Sequence, residues 1–281
     1  VATPLLCGLL ALWAVSLFQS EVVQQRQRTT LRLALTVALL ATPIGVYWAT
    51  WLVRWNWPGR SAAILLLFCL ATVPLYVQAA AWEAGFGKLG WYTVAQEASA
   101  TPWLTSWRAA VWVYVVAMIP WMSGIVAAGL NRLDREVQDL ALLDRNPWAA
   151  WWLVVFPNVL PSIVLAFTFC TAVVATELTV VDLYMIDTVA RELYLGFALG
   201  ETLAANWLAS IPIILAWFLW VSCAIVAAKP GDMNFRRKVR PSERRDLQPR
   251  DWSIALSTVL APLLLLTCIP VGSLLLVAGR A

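Results

Sequence analysis

The residues able to do chemistry in this chain are few. Histidine is absent, and the five cysteines stand far apart at Cys7, Cys69, Cys170, Cys223 and Cys268. No two of them share a metal-ligand spacing, so neither a resident zinc or iron site nor a His-dependent catalytic centre is expected. The phosphate-cradling pattern GxxxxGK[ST] does not occur, so the chain is not expected to hydrolyse ATP itself. No cofactor and no enzymatic activity are expected, and nothing in the pattern points to nucleic acid. What remains is charge in two places. One is the polar stretch NRLDREVQDLALLDRNPWAAWWLVVFPNVLP at 131–161; the other is an acidic group, Glu177, Asp182 and Asp187, followed by Arg191 and Glu192.

The polar stretch carries an apolar stripe. Leu130, Leu133, Val137 and Leu140 recur at spacings of three, four and three, which puts them on one face of a short helix. Arg132, Asp134, Arg135, Glu136 and Asp139 occupy the opposite face. Such a helix suits the groove of a soluble partner, with the stripe buried and the charges at the rim. It would also suit the lipid surface, but helices of that kind favour Lys and Arg over mixed charge. The acidic group has two readings as well. It is either a solvated rim or an acidic lining at the mouth of a path, steering a cation or a basic partner. Gln78 and Glu83 could face the same vestibule.

These groups must be held by a membrane bundle. Apolar residues make up 61% of the chain and charged residues 13%, with a mean hydropathy of +0.74, outside the range of soluble domains. About 20 apolar residues cross roughly 30 Å of hydrocarbon. Seven segments qualify, at 4–18, 33–53, 62–82, 109–130, 158–181, 207–228 and 253–278. The fold class is therefore all-α, a polytopic transmembrane helical bundle. Of the eighteen tryptophans, Trp48, Trp51, Trp55 and Trp57 cluster at the end of one segment, Trp103 and Trp107 at the start of another, and Trp148, Trp151 and Trp152 near a third, as expected of indoles anchored at headgroup level. Thirteen of the twenty Lys and Arg fall in 54–61, 131–156 and 229–252, which assigns those loops to the cytoplasm. Glu177 then falls close to the outer interface, counted along a helix from Pro157 and Pro161.

The ordered set of motifs resembles the permease subunits of binding-protein-dependent ABC importers. Their cytoplasmic loop reads roughly E-A-A-x-x-x-G, then an apolar helix and a proline. Here Asp139-Leu140-Ala141-Leu142-Leu143-Asp144-Arg145 stands in the first part and Val155-Phe156-Pro157 in the last. Asp replaces Glu and Arg145 replaces the glycine, with Asn146-Pro147 available as a substitute turn. Ile119-Pro120 and Gly129-Leu130 resemble the family's approach to the loop. The stretch ATELTVVDLYMIDTVARELYLGFALGE at 175–201 is similar to the ferric-iron transport group, in which two six-span halves are often fused.

The resemblance implies a type I permease with about six core spans plus one more. It divides the chain into a permease unit at 1–228, a basic cytoplasmic linker at 229–252, and the first span of a second, truncated unit at 253–281. It implies that Leu133, Glu136, Val137, Asp139, Leu140, Ala141, Asp144 and Arg145 couple to cytoplasmic ATP-binding subunits. Further implied partners are a periplasmic or lipid-anchored solute-binding protein, a second permease half, fused or separate, and membrane lipid. The implied site is the bacterial plasma (inner) membrane, multi-pass, with ferric iron as cargo. The alternative is a secondary transporter or another polytopic membrane protein, for which ionisable groups near the bilayer midplane would be needed.

Overall fold

The computed structural model describes residues 21–95, 102–132, 149, 151–200, 214, 217–218, 221–222 and 245–279. The described residues are predominantly helical: α1 (Glu21–Arg54), α2 (Arg60–Thr72), α3 (Leu75–Phe86), α4 (Trp91–Ala95), α5 (Ser106–Leu130), α6 (Trp151–Thr176), α7 (Thr179–Leu183), α8 (Val189–Ala198) and α9 (Pro249–Ala278). Four of them, α1, α5, α6 and α9, are long and apolar enough to cross a membrane.

The core is the packing of α1, α5 and α6. Helix α1 buries a stripe of small residues, Ala34, Ala38, Ala41, Gly45 and Ala49, spaced by three or four. Between lipid-embedded helices there is no hydrophobic drive to associate, so close van der Waals approach must supply the attraction, and small residues permit it. The approach is tight at two points. A Cβ built on Gly45 would lie 2.5 Å from Cβ of Met122 on α5. One built on Gly129 of α5 would meet the Ser162 side chain of α6. Helix α5 is buried on nearly every side from Ala109 to Pro120, as the central element of a bundle should be. Pro43, Pro120 and Pro161 lie inside helices, where each removes one backbone donor that the bundle must tolerate.

The segments at 33–53, 109–130 and 253–278 fall within single helices. Helix α6 stops at Thr176, short of the expected 181. Residues 4–18 and most of 207–228 lie outside the described residues. The segment expected as a span at 62–82 is not one continuous helix: Arg60–Thr72 and Leu75–Ala95 meet at 101°. Pro74 disfavours helical backbone at Val73, and Val73 is extended. Gln78 then holds the corner, donating from Nε2 to the carbonyls of Leu70 at 3.0 Å and Val73 at 3.1 Å. The expected outer loop at 19–32 is also helical from Glu21 onward, a continuation of α1. At about 1.5 Å per residue the 34 residues of α1 reach about 51 Å, well beyond the hydrocarbon core.

Several tryptophans expected as interface anchors are instead packing residues. Trp48, Trp57 and Trp82 are buried. Trp48 Nε1 donates to the carbonyl of Thr258 at 3.2 Å, and Tyr47 shares a 2.8 Å hydrogen bond with the Thr258 hydroxyl. These bonds seat α9 against α1. Two short parallel strands, β1 (Trp55–Asn56) and β2 (Arg245–Asp246), extend that contact, with Asn56 Nδ2 donating to Asp246 at 2.8 Å.

Candidate functional site

The acidic residues named from sequence gather at the end of the core where α6 stops and α5 begins, around two short helices. Glu177 follows the last residue of α6, where the chain leaves helical geometry. Its carboxylate accepts from the backbone N–H of Thr179 at 2.8 Å and of Val180 at 3.1 Å. It thus caps the first turn of α7, where free N–H groups and the helix dipole favour a negative charge. The third donor is Tyr114 of α5, whose hydroxyl lies 2.6 Å from Glu177 Oε2. Tyr114 is the largest fully buried side chain among the described residues. A charge-assisted bond of this length ties the cap to the central helix.

Asp182 and Asp187 flank one guanidinium. Arg191 Nε stands 3.1 Å from Asp182 and Arg191 Nη1 2.7 Å from Asp187. Both carboxylates are exposed, so each pair contributes no more than about 1 kcal/mol. The next residue, Glu192, pairs with Arg26 of α1 at 2.5 Å. Thr188 caps α8 through the N–H of Arg191, and the N–H of Val189 donates to the buried hydroxyl of Thr30 at 3.0 Å. Helix α8 is therefore clasped to the N-terminal part of α1 by one buried hydrogen bond and one ion pair.

Glu83 of α3 approaches the same place from the other side. Burial, and then the Glu83 carboxylate beside it, push the Tyr184 phenol above the ordinary tyrosine range. Glu83 Oε2 and the Tyr184 hydroxyl are both shielded from solvent. Gln78 does not join them, because its amide nitrogen is engaged at the α2–α3 corner.

The coupling residues Leu133, Glu136, Val137, Asp139, Leu140, Ala141, Asp144 and Arg145 lie outside the described residues. Their flanks are described: Leu130 is buried at the end of α5, and Asn131 and Arg132 form a turn. The sequence reading overlooked Tyr114, Thr30 and Arg26. Tyr114 carried a signal, being a lone hydroxyl in the outer half of an otherwise apolar span. Thr30 and Arg26 carried none, since their partners are more than 150 residues away.

Four long apolar helices, three of them packed through small residues, define an integral membrane protein of helical-bundle type. The chain belongs to the family described as binding-protein-dependent transport system inner membrane component, whose model matches residues 41–229. This is a family of transporter permease subunits, in which ATP hydrolysis is not performed by the permease itself. No curated protein sequence matches the chain. Among solved structures, an amino acid ABC transporter has the same fold at a TM-score of 0.53 and 15% identity, covering 73% of this chain and 92% of that one. An inward-facing MetNI methionine ABC transporter is similar at 0.54 and 14%, with 74% and 98% covered. A bacterial alginate ABC transporter in complex with a pentasaccharide-bound periplasmic protein is similar at 0.55 and 14%, with 76% and 79% covered. The fold is that of a type I ABC importer permease.

Proposed function

We propose that this chain forms the translocation path of an ATP-driven importer in the bacterial inner membrane and transmits the motion of cytoplasmic ATPases to it. The observation that carries this reading is the family match over 41–229, which runs through α1, α5 and α6 and includes the polar stretch between α5 and α6. Leu133, Val137 and Leu140 supply the face that docks into an ATPase groove. Glu136, Asp139, Ala141, Asp144 and Arg145 line the rim and turn. The outer ends of α1, α5 and α6, with α7 and α8, receive cargo from a periplasmic or lipid-anchored binding protein. Glu177, Asp182 and Asp187 belong to the outer gate as its internal braces, which must rearrange for the path to open outward.

The basic segment 229–252 joins this unit to a second permease half, of which 253–281 is the first span. The pairing of β2 with β1 supports this reading, because it holds the end of the linker beside the inner end of α1. Ferric iron is the proposed cargo, on the likeness of 175–201 to the ferric-iron group. The similar solved structures are titled for amino acid, methionine and alginate transport and lend iron no support.

The test is a combined Leu133→Asp, Val137→Asp and Leu140→Asp variant, purified with its ATPase. Loss of ATPase association and of uptake, with membrane insertion unchanged, is expected. Wild-type association would remove the coupling role. Uptake driven by binding protein loaded with ferric iron, compared with an amino acid or a sugar acid, decides the cargo.

A further inference from the structure

Helix α2 is too short to cross the bilayer. Its 13 residues rise about 20 Å, against roughly 30 Å of hydrocarbon. It starts at the inner end of α1, where Arg60 Nε donates to the carbonyl of Leu52 at 2.7 Å. After Thr72 the chain turns through 101° into Leu75–Ala95. The far end of that arm lies at the outer end of α5, because the N–H of Leu104 donates to the carbonyl of Phe86 at 3.3 Å. It also lies against the outer part of α9, where Trp91 Nε1 donates to Ser273 at 3.1 Å.

The arm is amphipathic in an inverted sense. Its inward side carries buried Gln78 and Trp82 and the shielded oxygen of Glu83. Its outward side carries Tyr76, Ala80, Leu89 and Val94, with Leu89 at 91% exposure. A water-facing helix shows the opposite distribution. The helices packed beside the arm expose apolar side chains too, α2 at Leu65 and Phe68 and α9 at Leu265 and Leu275. Near its end Phe86 stands within 5.2–6.3 Å of the Trp82, Trp91, Tyr92 and Trp103 rings, beside exposed Lys88. Amphipathic rings with a single ammonium group belong at the headgroup level.

We propose that Leu75–Ala95 does not complete a transverse span but lies along the outer leaflet, its exposed face covered by the lipid of that leaflet. The Gln78 bonds to Leu70 and Val73 hold it there by fixing the corner.

The experiment places single cysteines at Tyr76, Ala80 and Leu89 in a Cys-free background, attaches nitroxides, and reconstitutes each protein in liposomes. Relaxation by oxygen and by a nickel chelate then gives the depth of each label. All three labels are expected to favour oxygen and to lie within about 5 Å of one depth, inside the outer leaflet. A transverse α3 would separate Tyr76 from Phe86, its last residue, by about 15 Å and Ala80 from Phe86 by about 9 Å, with Leu89 in the turn just beyond; either separation overturns the proposal. Labels favouring the chelate would mean a water-facing arm, and labels shielded from both reagents would mean a covering protein. Each of those also overturns it. Should the label at Tyr76 impair insertion, the Ala80 and Leu89 pair decides the question alone.

Discussion

The core of α1, α5 and α6 and the outer clasp of α7 and α8 are held by different forces. In the core the contacts are Gly45 on Met122 and Gly129 on Ser162, shape against shape. At the clasp, helices of five and ten residues are too short to hold by packing or propensity. They rely on the Glu177 cap, the Tyr114 hydroxyl, the Thr30 hydroxyl and three ion pairs. Packing between rigid helices is insensitive to salt and intolerant of volume. Exposed ion pairs are sensitive to salt and individually weak.

The largest effect is expected from overfilling the core. Gly45→Leu forces α1 away from α5 at the backbone of Met122, and Gly129→Val does the same between α5 and α6. Each should destabilise by about 1–3 kcal/mol or more. This is read as loss of the monodisperse peak on size exclusion and a lowered Tm in detergent. A Tm unchanged by both substitutions would mean that the close approach does not hold the bundle.

Tyr114→Phe comes next. It removes a donor to a carboxylate while keeping the ring, and a bond of this kind contributes about 1.5–3 kcal/mol. Its coupling with Glu177→Gln in a double-mutant cycle should be at least about 0.5 kcal/mol. Additive effects would show that the two groups act separately.

Neutralising Asp182 and Asp187 to Asn should cost the fold less than about 1 kcal/mol for each pair. If the clasp is part of the gate, wild-type uptake changes with ionic strength while the double variant is nearly indifferent to it. Equal salt dependence in the two proteins would assign these carboxylates to a solvated rim. The smallest effect concerns position alone. Cysteines at Ser99 and Ser242 should label from opposite sides of the membrane, without loss of stability. Labelling of both from the outside would reject the orientation drawn from the basic loops.

Membrane residence and the principal helices were legible in the sequence because hydropathy is a local property: α1, α5, α6 and α9 each show it over their own length. The family was legible because the segment between α5 and α6 is charged where its neighbours are apolar. The break at Val73–Pro74 was less so. Proline inside a hydrophobic stretch is compatible with a kinked span, as Pro43 and Pro120 show in unbroken helices. What makes Pro74 different is the bonding of Gln78 to Leu70 and Val73, a side chain whose role depends on where it points.

The carboxylates divide along the same line. Counting along the helix from Pro157 and Pro161 set Glu177, Asp182 and Asp187 together toward one end of a single span. Only the tertiary structure decided their partners. Glu177 meets Tyr114 across 63 residues of sequence, and Arg26 meets Glu192 across still more. A hydrogen bond is satisfied by geometry within about 3 Å, and that proximity is created by the packing of α1, α5 and α6 rather than by any pattern along the chain. Which helices lie in lipid is thus written residue by residue, through transfer free energy. Which polar groups hold the outer end together follows from the crossing of helices that the small residues allow.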